Sequence, residues 1–141
     1  MTEEERQHLE FIQNIITRMN SNSFQIKGAT ITIVSALFAI YASSPNVLFI
    51  FIAALPIIIF WCLDSFYLQQ ERKFRGVYND VTGLKKINKV KIYEMPIHKY
   101  KENYFSYCKS FKSKTIFWLY FPLLILVLGI GISIIIIENV C

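Results

Sequence analysis

The chain has 141 residues, is 54% hydrophobic and has a mean hydropathy of +0.39, more apolar than an ordinary soluble domain of that length. Its formal net charge is +5, and its three cysteines and two histidines are scattered. Cys62, Cys108 and Cys141 form no plausible pair or CxxC spacing, and His8 and His98 are isolated, which argues against a disulfide scaffold and a metal site. From the N-terminus, residues 1–25 predict an amphipathic helix. Thr2 is a capping hydroxyl and Glu3, Glu4 and Glu5 occupy the positive end of the helix dipole. Ile12, Ile15, Ile16 and Met19 form an apolar stripe expected to dock on the protein's own cytoplasmic part. A helix lying on the membrane is the alternative, disfavoured because the acidic first turn would be repelled by anionic lipid. These first residues are polar and acidic, unlike a signal peptide.

Residues 28–63 and 115–137 carry no charged side chain. A crossing needs about 20 apolar residues, so the first stretch fits two spans and the second fits one. Ser43, Ser44, Pro45 and Asn46 divide the first stretch, because proline lacks an N–H and biases its predecessor away from helix. The expected spans are residues 26–42, 47–66 and 115–137, with Pro56 kinking the second and Pro122 loosening the start of the third. The fold class is therefore an all-α membrane protein with three transmembrane helices. A basic region, residues 67–114, lies between the second and third spans, and residues 138–141 form a short tail. Twelve of the fifteen Lys and Arg residues fall in that region, which by the positive-inside bias places it and the N-terminus in the cytoplasm and the tail outside.

The second span is expected to continue as a helix to about Tyr78, with Tyr67, Phe74, Tyr78 and Val81 on one face. Lysine-rich residues 82–94 read as an irregular connection, a short strand being the alternative, with Gly83 capping the helix before it. Pro96 sits where a helix could begin, and Tyr93, Ile97, Tyr100, Tyr104, Tyr107 and Phe111 recur every three or four residues among lysines, which predicts an aromatic-faced basic helix. Aromatic and basic residues interleaved could bind nucleic acid, but beside a span they better suit an interfacial anchor on anionic lipid, so no nucleic acid partner is expected. The membrane-interface set is Trp61, Tyr100, Tyr104, Lys112, Lys114 and Trp118.

No nucleophile stands beside an oriented base, no Gly-rich phosphate loop follows a strand, and no cofactor is expected, so the chain does not read as an enzyme. Asp64, at the edge of the apolar block, reads as an interfacial acid paired with Lys27 or a hydroxyl, rather than as an ion-pathway residue. Glu71 and Arg75 have the spacing of a helical ion pair. With Arg72 they form either a solvated face or an anion site meeting phosphates or an acidic partner. Asp64, Glu71, Arg72, Arg75 and Tyr78 together make the candidate signal- or partner-binding set. Ser35 with Ala39, and Gly129 with Ser133, are small pairs four residues apart that permit close helix packing, in a tight monomer or a homo-oligomer.

The runs MNSNSFQIKGATITIVSALFAIYA and FWCLDSFYLQQERKFRGVYNDV, with LEFIQ before them, resemble a set of small bacterial membrane proteins. Those proteins share an acidic opening helix, a hairpin of spans and an exit helix whose pattern here falls on Trp61, Leu63, Asp64, Tyr67, Leu68, Glu71, Arg72, Phe74 and Arg75. The likeness covers residues 9–81 and resembles the SLATT-like membrane effectors, which accompany TIR-domain or nucleotide-signalling proteins in antiphage defence. It implies a bacterial inner-membrane effector that a cytoplasmic partner or nucleotide signal switches on to oligomerise and permeabilise the bilayer. A passive membrane anchor or accessory subunit for a soluble protein is the alternative.

Overall fold

The computed structural model describes residues 2–85 and 87–140; the expectations placed on Lys86 and Cys141 lie outside them. Every regular element among the described residues is helical: α1 (Glu3–Ser43), α2 (Leu48–Ile52), α3 (Ala54–Val81), α4 (Tyr107–Phe111) and α5 (Lys114–Val140). Three helical stretches, Glu3–Ser43, Leu48–Val81 and Lys114–Val140, are long and apolar enough to cross a membrane, the mark of a multi-pass membrane protein.

The amphipathic helix and first span, expected as separate pieces, form the single helix α1. Its start is a capping box: the Glu5 N–H donates to Thr2 Oγ1 at 3.2 Å and the Thr2 N–H to Glu5 Oε2 at 2.7 Å. The polar stretch 20–23 contains no proline, and the hydroxyls of Thr30 and Thr32 donate to the carbonyls of Ile26 and Gly28 four residues back. Those hydroxyls are satisfied within the helix, and its backbone continues through them. The turn falls where expected, with the Leu48 N–H donating to Asn46 Oδ1 at 3.0 Å. Pro56 separates α2 from α3, because it cannot donate to the Ile52 carbonyl and its ring crowds that group. The expected continuation of the second span to Tyr78 is observed and extended to Val81. Gly83, at φ 74°, ends it in the left-handed conformation.

The described residues between 82 and 94 are irregular, as anticipated. The aromatic-faced helix after Pro96 does not form: residues 97–111 fold as two single 3-10 turns, Ile97–Lys99 and Asn103–Phe105, followed by the short α4. Asn103 at φ 49° and the extended Glu102 and Ser106 break the periodicity that the sequence displays. The tail expected from residue 138 belongs to α5 as far as Val140, where Asn139 Nδ2 donates to the Ile135 carbonyl.

The chain divides into two compact units. The polar unit comprises residues up to Phe24 and Ser65–Ser110; the apolar unit comprises Gln25–Asp64 and the chain from Phe111 onward. In the polar unit Ile12, Val77 and Tyr100 are buried together, with Ile16, Phe74 and Tyr78 packed against them. The Ile12 stripe of α1 therefore docks on the protein's own polar part, as its spacing predicted. In the apolar unit Val34, Ile50, Ile57, Ile116, Tyr120 and Val127 are buried, while large apolar residues such as Leu55, Ile59, Trp118 and Ile137 are exposed. Soluble proteins rarely expose so much contiguous apolar surface, and a bilayer is the solvent that suits it.

Candidate functional site

Arg72 and Arg75 lie one helical turn apart on α3 and face a cavity of about 730 Å³ in the polar unit. Its opposite wall is the segment after Pro96, including Tyr100, Lys101, Tyr104 and Phe105. Gly76 makes this wall possible. A Cβ there would sit 2.8 Å from Tyr100 Cδ1 and 3.0 Å from Phe105 Cε1, so only glycine lets both rings lie directly on the helix backbone. The Tyr100 hydroxyl donates to Asp80 Oδ2 at 2.6 Å. Burial, and next the Asp80 hydrogen bond, push this phenol well above its ordinary range, so it remains a donor at physiological pH. Asp80 also accepts the N–H groups of Ile87 and Asn88, which ties the loop carrying Lys85 to the same carboxylate.

The cavity is strongly cationic. Arg72, Arg75, Lys85, Lys99 and Lys101 line it, against the acid Glu102. Arg75 donates through Nε to Glu71 at 2.8 Å, the helical pair expected from their spacing, and Lys99 lies 3.6 Å from Glu94. The Glu94 carboxyl is held below its usual range first by the Lys91 N–H, with Lys99 adding to it. Among the described residues Lys85 and Lys101 have no acidic partner. Arg72 has a structural part: its guanidinium lies 4.5 Å from the Tyr104 ring centroid and donates to the Tyr104 carbonyl and Ser110 Oγ, each at 3.3 Å.

Of the five residues proposed from sequence as a signal-binding set, Arg72 and Arg75 therefore line this cavity, and Glu71 positions Arg75. Tyr78 accepts a hydrogen bond from Gln13 at 3.3 Å beside a smaller hollow. Asp64 is elsewhere, fully buried in the apolar unit and 2.6 Å from Lys27 Nζ. The pairing read from sequence is thus present, but burial removes Asp64 from any signal-receiving surface. Tyr120, fully buried, neighbours it and also meets the buried Thr30. Sequence reasoning missed Gly76, Lys85, Lys101 and Asp80; a glycine inside a helical pattern was the available signal.

The interface set divides as well. Trp61 is buried rather than at a lipid boundary: its ring stacks on Phe111 at 4.6 Å and its Nε1–H donates to the Phe111 carbonyl at 3.2 Å. Tyr100 is equally internal, its hydroxyl being held by Asp80. Tyr104, Lys112, Lys114 and Trp118 are exposed. The small pairs Ser35/Ala39 and Gly129/Ser133 are also exposed, and Gly129 has open space around it. Close packing inside the apolar unit falls instead on Gly131, where an added Cβ would lie 3.0 Å from the Phe51 ring. Among the described residues no group of His, Cys, Asp and Glu is placed to hold a metal.

An all-helical, multi-pass membrane protein with a cationic, aromatic-walled cavity outside its apolar unit is the class these features define. No protein family, curated protein or solved structure compared with the chain matches it.

Proposed function

We propose that this protein is a bacterial inner-membrane effector of antiphage defence, with its N-terminus and polar unit in the cytoplasm and its C-terminus outside. A cytoplasmic TIR-domain or nucleotide-signalling protein, or the nucleotide it makes, acts on the polar unit, and protomers then assemble in the bilayer and depolarise it. The observation that carries this reading is the cationic cavity on α3, because the same uninterrupted helix supplies Arg72 and Arg75 to the cavity and Ile57 and Trp61 to the apolar unit. A helix resists bending, so a ligand that displaces one end acts on the other. The resemblance of residues 9–81 to SLATT-like effectors supplies the defence context, and the twelve basic residues between spans supply the orientation.

The test is a bacterial host expressing the chain together with a TIR-domain or nucleotide-signalling protein, followed with a membrane-potential dye. Resting cells should keep their potential and lose it after phage infection, with fewer plaques than the host alone. A potential and plaque count unchanged across a phage panel at verified expression would overturn the effector reading and leave a passive anchor.

A further inference from the structure

We propose that the cavity between α3 and the segment after Pro96 binds a nucleotide, its base stacked on Tyr104 and its phosphates held by Lys85 and Lys101 with Arg75. This rests on the effector reading only in taking the cavity as the place where the signal arrives; the binding chemistry stands on the site itself.

A volume of about 730 Å³ is that of a small-molecule site and is concave, whereas a docked protein surface would call for a broad face. The lining combines two chemistries. Lys85 and Lys101 are exposed cations with no acidic partner among the described residues, so an anion entering here displaces only water from them. Arg75 is exposed over 56% of its side chain while it touches Glu71, and such a pair exchanges readily for a phosphate that accepts two parallel hydrogen bonds. Tyr104 is 55% exposed although Arg72 covers one side of its ring, so the remaining exposure offers a flat surface. Its backbone is anchored by the Arg72 hydrogen bond to its carbonyl, and the left-handed Asn103 before it fixes the turn. A ring held rigidly against a cation is a stacking platform that loses little entropy when a base settles on it. Phosphate alone would use the cations and leave the platform idle; a free base would do the reverse. A nucleotide uses both.

Purified protein in phosphatidylcholine nanodiscs, titrated calorimetrically, tests this with ADP, adenosine, pyrophosphate and glycerophosphoinositol bisphosphate as probes. ADP should bind at least about tenfold tighter than adenosine or pyrophosphate, with affinity falling as salt rises. Lys85→Gln with Lys101→Gln should weaken ADP about tenfold or more, and Tyr104→Ala by a similar factor, while Tyr104→Phe retains binding. Lys89→Gln with Lys109→Gln, which removes an equal charge outside the cavity, should leave binding unchanged. Equal binding of pyrophosphate and ADP, preference for the inositol headgroup, or no binding of ADP would each overturn the proposal. The readout uses no trigger and no leak. Lost ADP binding with intact infection-dependent depolarisation therefore refutes the ligand alone, whereas intact binding without depolarisation refutes the effector reading.

Discussion

Lys27 and Asp64 illustrate how a charge is tolerated beside a span. Asp64 is fully buried, and a carboxylate in low dielectric is stable only if its partner and hydrogen bonds replace its water. Removing one partner leaves the other uncompensated, at a cost of about 3–5 kcal/mol, while replacing both by apolar groups of similar size is close to neutral. Asp64→Leu and Lys27→Met should therefore each lower the thermal midpoint in detergent, and the double variant should recover most of the loss. A double variant as unstable as the sum of the two would mean the residues act independently. Gly76 gives a second expectation. Gly76→Ala places a methyl against two rings, one of them tethered to Asp80, and overpacking of this kind costs about 1–3 kcal/mol. Tryptic cleavage after Lys99 and Lys101 should become faster in that variant, because the wall loses its seat; an unchanged cleavage rate would show that the rings can shift without loss.

At the level of elements, legibility followed the kind of signal. The spans were legible because charge is absent over long runs, and the turn at Pro45 because proline and asparagine act locally. The Lys27 and Asp64 pair was legible because each is the first charge outside its apolar run, so a hairpin brings them to one level. Residues 97–111 were misread. Their aromatic spacing fits a helix, yet Tyr100 is buried on Gly76 and Asn103 adopts a positive φ, choices made by tertiary packing that periodicity cannot register. The cavity was half legible: Arg72 and Arg75 are neighbours on one helix face, whereas Lys85 and Lys101 reach it only through chain reversals. Small residues likewise needed the structure to sort them, since Gly131 packs on Phe51 and Gly129 faces outward. The outward pairs carry an expectation for assembly. Leucine at Ser35, Ala39, Gly129 or Ser133 stays apolar and should insert normally while lowering oligomer yield, measured by crosslinking in nanodiscs. Unchanged yield in all four variants would remove those faces from the interface.

For the whole molecule the proposed orientation makes a direct forecast. A reporter that fluoresces only in the cytoplasm should be bright when inserted after Lys91 and dark at the C-terminus, because α5 separates the two positions. Equal brightness at both would remove the third crossing. The ion pair between the first two spans also bears on how the chain enters the bilayer. Lys27 and Asp64 are synthesised 37 positions apart, and each is a liability in lipid until the other arrives. The first two spans therefore gain by leaving the translocon together, as a preassembled hairpin. A nascent chain halted between them would hold Lys27 at the edge of its only inserted span with no carboxylate to meet it.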